Sequence, residues 1–163
     1  MWYVIWTSTG SERRAKELIE NRCKRCFYPT RKINKKVRDE WKTEIKPLLP
    51  GYIFADTDDV EALAAFLWNS ENFNKILDTD RKYYDLYGDD RDMIEKLYQD
   101  GGMFDTSKGY IEGDRIIVTA GPLVGMEASI TKIDRHKRIA YITLDLFNQK
   151  LNTSVGLEII QKQ

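Results

Sequence analysis

The chain has 163 residues, enough for one medium domain or two small ones with real apolar cores. No apolar run approaches the roughly 18 residues of a membrane span, and the strand-like start has no basic stretch before it, so neither a span nor a secretory signal is expected. The formal charge of zero hides an asymmetry: residues 1–46 carry 13 Lys/Arg against 6 Asp/Glu, residues 47–108 carry 6 against 14, and residues 109–163 carry 7 against 6. A basic segment concentrated in this way can meet phosphate, whereas an even spread mainly solubilises.

Trp2 to Thr7 is aromatic and β-branched, which predicts a buried or half-buried strand. Gly10-Ser11-Glu12 predicts a turn and a helix start capped by Ser11. Ala15, Leu18, Ile19, Cys23 and Cys26 then recur at helical spacing as an inward stripe, leaving Arg13, Arg14, Lys16, Glu17 and Glu20 to water. Pro29-Thr30 ends that unit, and residues 30–47 alternate as a long hairpin with a charged turn near Arg38-Asp39-Glu40. In Pro47-Leu48-Leu49-Pro50-Gly51-Tyr52-Ile53-Phe54, two prolines bracket an apolar pair at a strand entrance, where not all of the apolar surface is expected to be buried. Asp58-Asp59 starts a helix with Val60, Leu63, Ala64, Leu67 and Trp68 inward; a short strand at Ile76-Leu77 and a helix over 90–99 with Met93, Ile94 and Leu97 inward follow.

Glycines and small polar residues at 99–102 and 106–109 predict a linker, which divides the chain into 1–100, a linker at 101–109, and 110–163. Beyond it, Gly113-Asp114 opens an alternating strand, Gly121-Pro122 turns the chain, Gly125 bends it again, and Ile130 and Ile133 resume the two-residue period of a small β-barrel. Asp134-Arg135-His136-Lys137-Arg138 predicts a charged hairpin turn, open to two readings: a solvated turn, or a basic tip touching RNA, polymerase or a partner.

The run 109–130 resembles the KOW motif of small SH3-like barrels in transcription and ribosome-associated factors. Together with Trp2-Tyr3-Val4, Pro29-Thr30 and Leu49-Pro50-Gly51-Tyr52, in that order, it makes the whole chain resemble the NusG family. Gly121 to Glu127, Lys132 to Arg138 and Gly156-Leu157-Glu158-Ile159 look closer still to LoaP, the specialised antiterminator branch of that family. The implied fold is α+β: an N-terminal NGN domain, with an antiparallel sheet flanked by helices, and a C-terminal KOW domain built as a five-stranded SH3-like barrel. The implied work is binding rather than catalysis, by a cytoplasmic monomer that suppresses pausing and termination.

Carried over by position, the polymerase-binding residues are Leu49, Pro50 and Tyr52, with Trp2 and Tyr3 beneath them, facing the clamp helices of the largest RNA polymerase subunit. Tyrosine suits such a role because it offers a large contact area with few rotors, but a turn leading into a core strand fits the same residues. Leu49 stands where the family often has Phe. The basic residues Arg13, Arg14, Lys16, Arg22, Lys24, Arg25, Arg31, Lys32, Lys35, Lys36 and Arg38 either follow the phosphates of RNA or upstream DNA, as the resemblance implies, or form a solvated face. Phe147 matches a position that contacts a small-subunit ribosomal protein or the terminator Rho, and equally suits a barrel core. Ala128 replaces a glycine usual in the motif, a strained choice if that site needs a positive φ. A general elongation factor without a nucleic acid signal, and a ribosome-associated KOW protein, are the alternatives.

Cys23 and Cys26 lack a second ligand pair, and His136 is the only histidine, so no metal or cofactor is expected and the two thiols read as core. Their number fits a reducing cytoplasm. No phosphate-cradling glycine loop and no nucleophile with a recognisable base is present, so no catalytic residue is assigned.

Overall fold

A computed structural model describes residues 1–70, 74–79 and 82–161. In chain order the elements are β1 (Trp2–Trp6), α1 (Glu12–Ile19), β2 (Arg25–Phe27), β3 (Thr30–Val37), β4 (Glu40–Pro47), β5 (Tyr52–Asp56), α2 (Val60–Trp68), β6 (Lys75–Ile76), β7 (Asp78–Thr79), β8 (Lys82–Tyr83) and α3 (Gly88–Gln99). They continue as β9 (Met103–Phe104), β10 (Ser107–Glu112), β11 (Arg115–Ala120), β12 (Ile130–Asp134), β13 (Ile139–Leu146) and β14 (Gln149–Ile159). The α+β architecture expected from the sequence is present.

The chain forms two compact units that are not contiguous in sequence: Met1–Pro29 with Leu49–Gly102, and Thr30–Leu48 with Met103–Gln163. The hairpin that sequence order assigns to the first unit therefore groups with the second. Two contacts within the second unit explain this. Arg31 donates from Nη1 to the Ser154 carbonyl and hydroxyl, and Thr153 Oγ1 donates to Leu48 O at 2.8 Å. The stretch expected as a linker is also partly strand, because Thr30 and Arg31 pair with Met103 and Phe104, and Ser107, Lys108 and Gly109 pair with Leu157, Glu158 and Ile159.

The first unit is built on an antiparallel sheet in the order β2-β5-β1-β6. β1 is apolar at nearly every position because both of its faces are covered. Tyr3 and Ile5 join Ile53, Ala55 and the α1 and α2 residues Ala15, Ile19, Leu63 and Leu67 in one core. On the opposite face, Trp2 and Phe27 meet the α3 residue Tyr98, with ring centroids 5.6 Å and 5.3 Å away. Burying side chains of this size contributes about 1.5–3 kcal/mol each, so this sheet supplies most of the unit's cohesion. Asp59 caps α2 by accepting from Ala62 N at 3.0 Å, as its acidic start predicts.

Three details depart from the helical reading. Leu18 is exposed, and Trp68, expected on the buried face of α2, is 88% exposed at its last position. The inward stripe stops at Ile19: a 3-10 turn over Glu20–Arg22 intervenes, and Cys26 lies on β2. Both thiols still pack against the core cluster, as Cys23 donates to Ile19 O at 3.3 Å. The hydrogen bond shared with Cys23, together with burial, pushes the Cys26 thiol up, as expected of an inert core cysteine.

In the second unit, five strands run in the order β11-β10-β14-β13-β12, the arrangement expected of the SH3-like domain. In β13 the inward residues Ala140, Ile142, Leu144 and Leu146 alternate with exposed or half-buried ones. β3 and β4 form the predicted hairpin, and its turn residues Arg38 and Asp39 both have positive φ, the geometry that lets a two-residue turn follow the strand twist. Ala128 sits in a short 3-10 turn at Glu127–Ser129 and is not among the residues with positive φ, so replacing the family's glycine strains nothing.

Candidate functional site

Tyr52 owes its position to a turn held from a distance. Glu12, 3% exposed in the first turn of α1, accepts from Gly51 N at 2.9 Å and from Gly10 N at 3.0–3.1 Å. Gly51 has φ +86, and a Cβ there would lie 3.0 Å from Thr7 O, so the turn needs glycine on both counts. Thr7 N donates back to Gly51 O at 2.9 Å, and Tyr52 N donates to Leu49 O at 3.1 Å. One carboxylate thus ties the ends of β1 and β5 together and leaves Pro50 exposed and Tyr52 half-buried.

The other residues of the expected docking set lie elsewhere. Leu48 and Leu49 are both buried, against the expectation that a proline-bracketed pair keeps part of its surface open. Trp2 and Tyr3 are also buried, and they do not underlie Tyr52. Trp6 is the residue that pairs with Tyr52, its ring edge-on at 6.4 Å, while Trp2 lies four residues away, roughly 13 Å along the strand. Trp6 is half-buried, and its Nε1 has no hydrogen-bond acceptor among the described residues.

Trp2 belongs to a charged cluster at the far end of β1. Its Nε1 donates to Glu95 at 2.6 Å, and Arg25 bridges Glu95 at 2.6 Å and Asp56 at 2.9 Å while lying 4.6 Å over the Trp2 ring. The Met1 amino group completes the cluster, 2.7 Å from Asp56. Hydrogen bonds from Arg25 and then Trp2 hold the Glu95 carboxyl below its ordinary range. Burial alone would push Asp56 up, but the bonds from the Met1 amino group and Arg25 outweigh it and hold Asp56 down. Both carboxyls are depressed in the folded state, so their stabilisation is present above the unfolded values near ~4 and is lost as pH falls through the folded ones. The first unit is accordingly expected to keep its melting temperature down to about pH 5 and to lose it below about pH 4. Glu95→Gln, followed by circular dichroism, is expected to make that acid-side loss shallower.

The basic set is divided between the two units. Arg13 to Arg25 lie in the first unit and Arg31 to Arg38 in the second. Many members are occupied. Arg13 pairs with Glu17, Lys16 with Glu20, Lys24 with Asp58 and Lys32 with Asp105, while Arg22 stacks over Phe66 at 3.6 Å. Arg25 serves the Trp2 cluster. Arg31 points into its own unit, where burial pulls its guanidinium below the ordinary value. Among the described residues, Arg14, Lys35, Lys36 and Arg38 have no ion-pair partner, and all four are exposed. Exposed i,i+4 pairs such as Arg13–Glu17 are worth only about 0.3–0.5 kcal/mol and yield readily to phosphate.

Phe147 is 4% exposed, so it presents no anchor in this structure. With Asn148 it forms the two-residue turn between β13 and β14, both at positive φ. The described residues hold no group of three or more His, Cys, Asp or Glu that could bind a metal ion, and no helix long and apolar enough to cross a membrane.

Residues 1–95, more than half of the chain, match the sequence model of the family described as NusG, transcription termination factor nusG. The chain belongs to the NusG family. The transcription termination/antitermination protein NusG of Campylobacter jejuni subsp. jejuni is 22% identical over 171 residues, covering 99% of this chain and 94% of that protein. A solved structure concerned with domain interaction in Thermotoga maritima NusG matches with a TM-score of 0.53 at 18% identity, covering 95% of this chain and 92% of that one, which shows a shared fold.

Two residues that shape this turn in the NusG-family chain escaped sequence reasoning. Glu12 reads as an ordinary helix-start acid, and its partner Gly51 lies 39 residues further on. Trp6 closes a strand whose aromatic residues all look alike until register pairs it with Tyr52. A signal existed in the two glycines, Gly10 and Gly51, flanking chain reversals with no obvious acceptor for their amides.

Proposed function

We propose that this protein is a transcription elongation factor of the antiterminating kind, in the manner of LoaP, and that it binds RNA polymerase through the edge formed by Trp6, Pro50 and Tyr52. On this reading the polymerase-binding domain lies within residues 1–100 and docks on the clamp helices of the largest subunit, holding the clamp against opening. The KOW-like domain within 110–163 adds a second partner, a ribosomal protein or Rho. Pausing and release become rarer because the factor binds the elongating polymerase more tightly than the paused one, a population shift that needs differential affinity. Exposed basic side chains, Arg14 on one unit and Lys35, Lys36 and Arg38 on the other, contact RNA or upstream DNA. The observation that carries the proposal is the family match over residues 1–95 combined with the Glu12-held turn that keeps Pro50 and Tyr52 at the surface.

A second reading, a general elongation factor without a nucleic acid signal, draws support from the internal pairing of Arg13, Lys16, Lys24, Arg25 and Arg31. Capture of RNA polymerase by the immobilised full chain tests the docking edge. Tyr52→Ala combined with Pro50→Ala is expected to weaken capture at least tenfold, the effect of losing an interface anchor worth about 2 kcal/mol. Unchanged capture by a folded variant places docking elsewhere.

A further inference from the structure

The second unit contains a groove of about 430 Å³ between the β3–β4 hairpin and the turn joining β12 to β13. Three features of it call for a ligand. Lys35, Lys36, Lys46 and Lys137 line it with His136, so ammonium groups outnumber its single carboxylate, Glu44. Trp41 forms an aromatic wall: Arg138 lies over its ring at 4.0 Å, yet the residue is still 36% exposed. Glu44 Oε2 is buried and accepts no hydrogen bond among the described residues, with Lys46 Nζ 3.7 Å away.

The turn that brings these groups together is well fixed. Lys137 N donates to Asp134 Oδ1 at 3.0 Å, and Arg138 adopts φ +57, which directs the chain into β13. Opposite it, the β3–β4 register places Lys36 against Trp41 and Lys35 against Lys42. Like charges gathered on facing strands destabilise the free protein, and an anionic ligand relieves that repulsion.

We propose that this groove binds one nucleotide of a single-stranded RNA, its base against Trp41 and its flanking phosphates on Lys35, Lys36 and Lys137. The proposal rests on the nucleic acid contact put forward above and adds Trp41 and Lys137 to Lys35 and Lys36 of the basic set read from sequence. The size argues for a nucleotide, since cavities of about 300–1,000 Å³ take one small molecule and not a duplex. The Trp41 wall argues for an unstacked base, because every base offers a face to an aromatic ring while a duplex hides it. Glu44 argues for RNA. Its Oε2 lacks a hydrogen-bond donor among the described residues, and the ribose 2′-hydroxyl, which DNA lacks, supplies one.

The test uses the full chain with a labelled ten-nucleotide RNA of mixed sequence, the matching single-stranded DNA, and the RNA annealed to its complement, read by fluorescence anisotropy. Single-stranded RNA is expected to bind more tightly than either competitor. Trp41→Ala should weaken it about tenfold, with Trp41→Phe recovering most of the loss, and Glu44→Ala should bring the RNA-to-DNA ratio towards one. Cross-linking with 4-thiouridine RNA is expected to label the peptide carrying Trp41 or that carrying 136–139, a readout that does not depend on a variant folding well. Equal binding of RNA and DNA, preference for the duplex, or cross-links confined to other peptides each overturns the proposal. If RNA binding persists and responds to Arg14→Ala but not to Trp41→Ala or Lys137→Ala, the groove is wrong and the broader nucleic acid reading stands. If the wild-type chain binds no RNA at all, both fall.

Discussion

Glu12→Ala is expected to destabilise the first unit by about 3 kcal/mol, although the residue is charged and sits at the start of a surface helix. Its carboxylate serves two backbone amides, those of Gly10 and Gly51, and is almost fully buried. A hydrogen bond to a charged acceptor is worth roughly 1.5–3 kcal/mol, and an amide left buried without an acceptor is penalised by a similar amount. Gly10 is exposed and recovers water, so the loss concentrates on Gly51, which is buried. The expected readout is a melting temperature lowered by about 10 °C, with Glu12→Gln losing roughly half as much because it keeps one acceptor oxygen. Since the same carboxylate positions Tyr52, polymerase capture should fall with it. A Glu12→Ala protein that melts like the wild type would show that the turn holds itself.

Gly121→Ala is expected to be at least as damaging to the second unit, at about 4 kcal/mol. Gly121 has φ +98, and a Cβ there would lie 2.6 Å from both Cα and Oγ of Ser107. No real Cβ packs so closely, so the backbone must move. The movement breaks the bond in which Ser107 Oγ accepts from Leu123 N at 3.0 Å, between two fully buried residues. A left-handed non-glycine residue costs about 1–2 kcal/mol by itself, and orphaning the Leu123 amide adds about 1–3. Gly125 separates the two terms: it has φ +81 but open space around its missing Cβ, so Gly125→Ala should show the conformational cost alone, about 1–2 kcal/mol. Equal thermal shifts for the two variants would contradict the role assigned to Ser107.

Much of the architecture was legible in the sequence because its signals are local. The period-two spacing of Ile116 and Val118, the Arg38-Asp39 turn and the acidic start of α2 all act within a few residues. The misreadings share a different physics. Trp68 follows the helical period but falls at the last position of α2, where its side chain is exposed. Cys26 continues a helical spacing by coincidence, since the chain has already left the helix. The grouping of the hairpin with the C-terminal strands depends on Arg31 reaching Ser154, 123 residues away, which no periodicity encodes. The site shows the same limit. The Leu49-Pro50-Gly51-Tyr52 stretch is readable as a turn before a strand, but only the β1–β5 register reveals that Trp6 and not Trp2 stands beside Tyr52. The basic count was correct as a count; pairing by Glu17, Glu20, Asp56, Asp58 and Glu95 decides which of those cations are available.

On the function proposed above, Pro50 and Tyr52 meet RNA polymerase and termination is thereby suppressed. The most direct test of this is transcription by purified bacterial RNA polymerase across a template carrying an intrinsic terminator, with the read-through fraction measured as full-length protein is added. Read-through is expected to rise with protein concentration to a plateau, and the Tyr52→Ala, Pro50→Ala variant to shift the half-maximal concentration upward at least tenfold. Read-through that is unchanged by the wild-type protein, or raised equally by a folded variant, would contradict it.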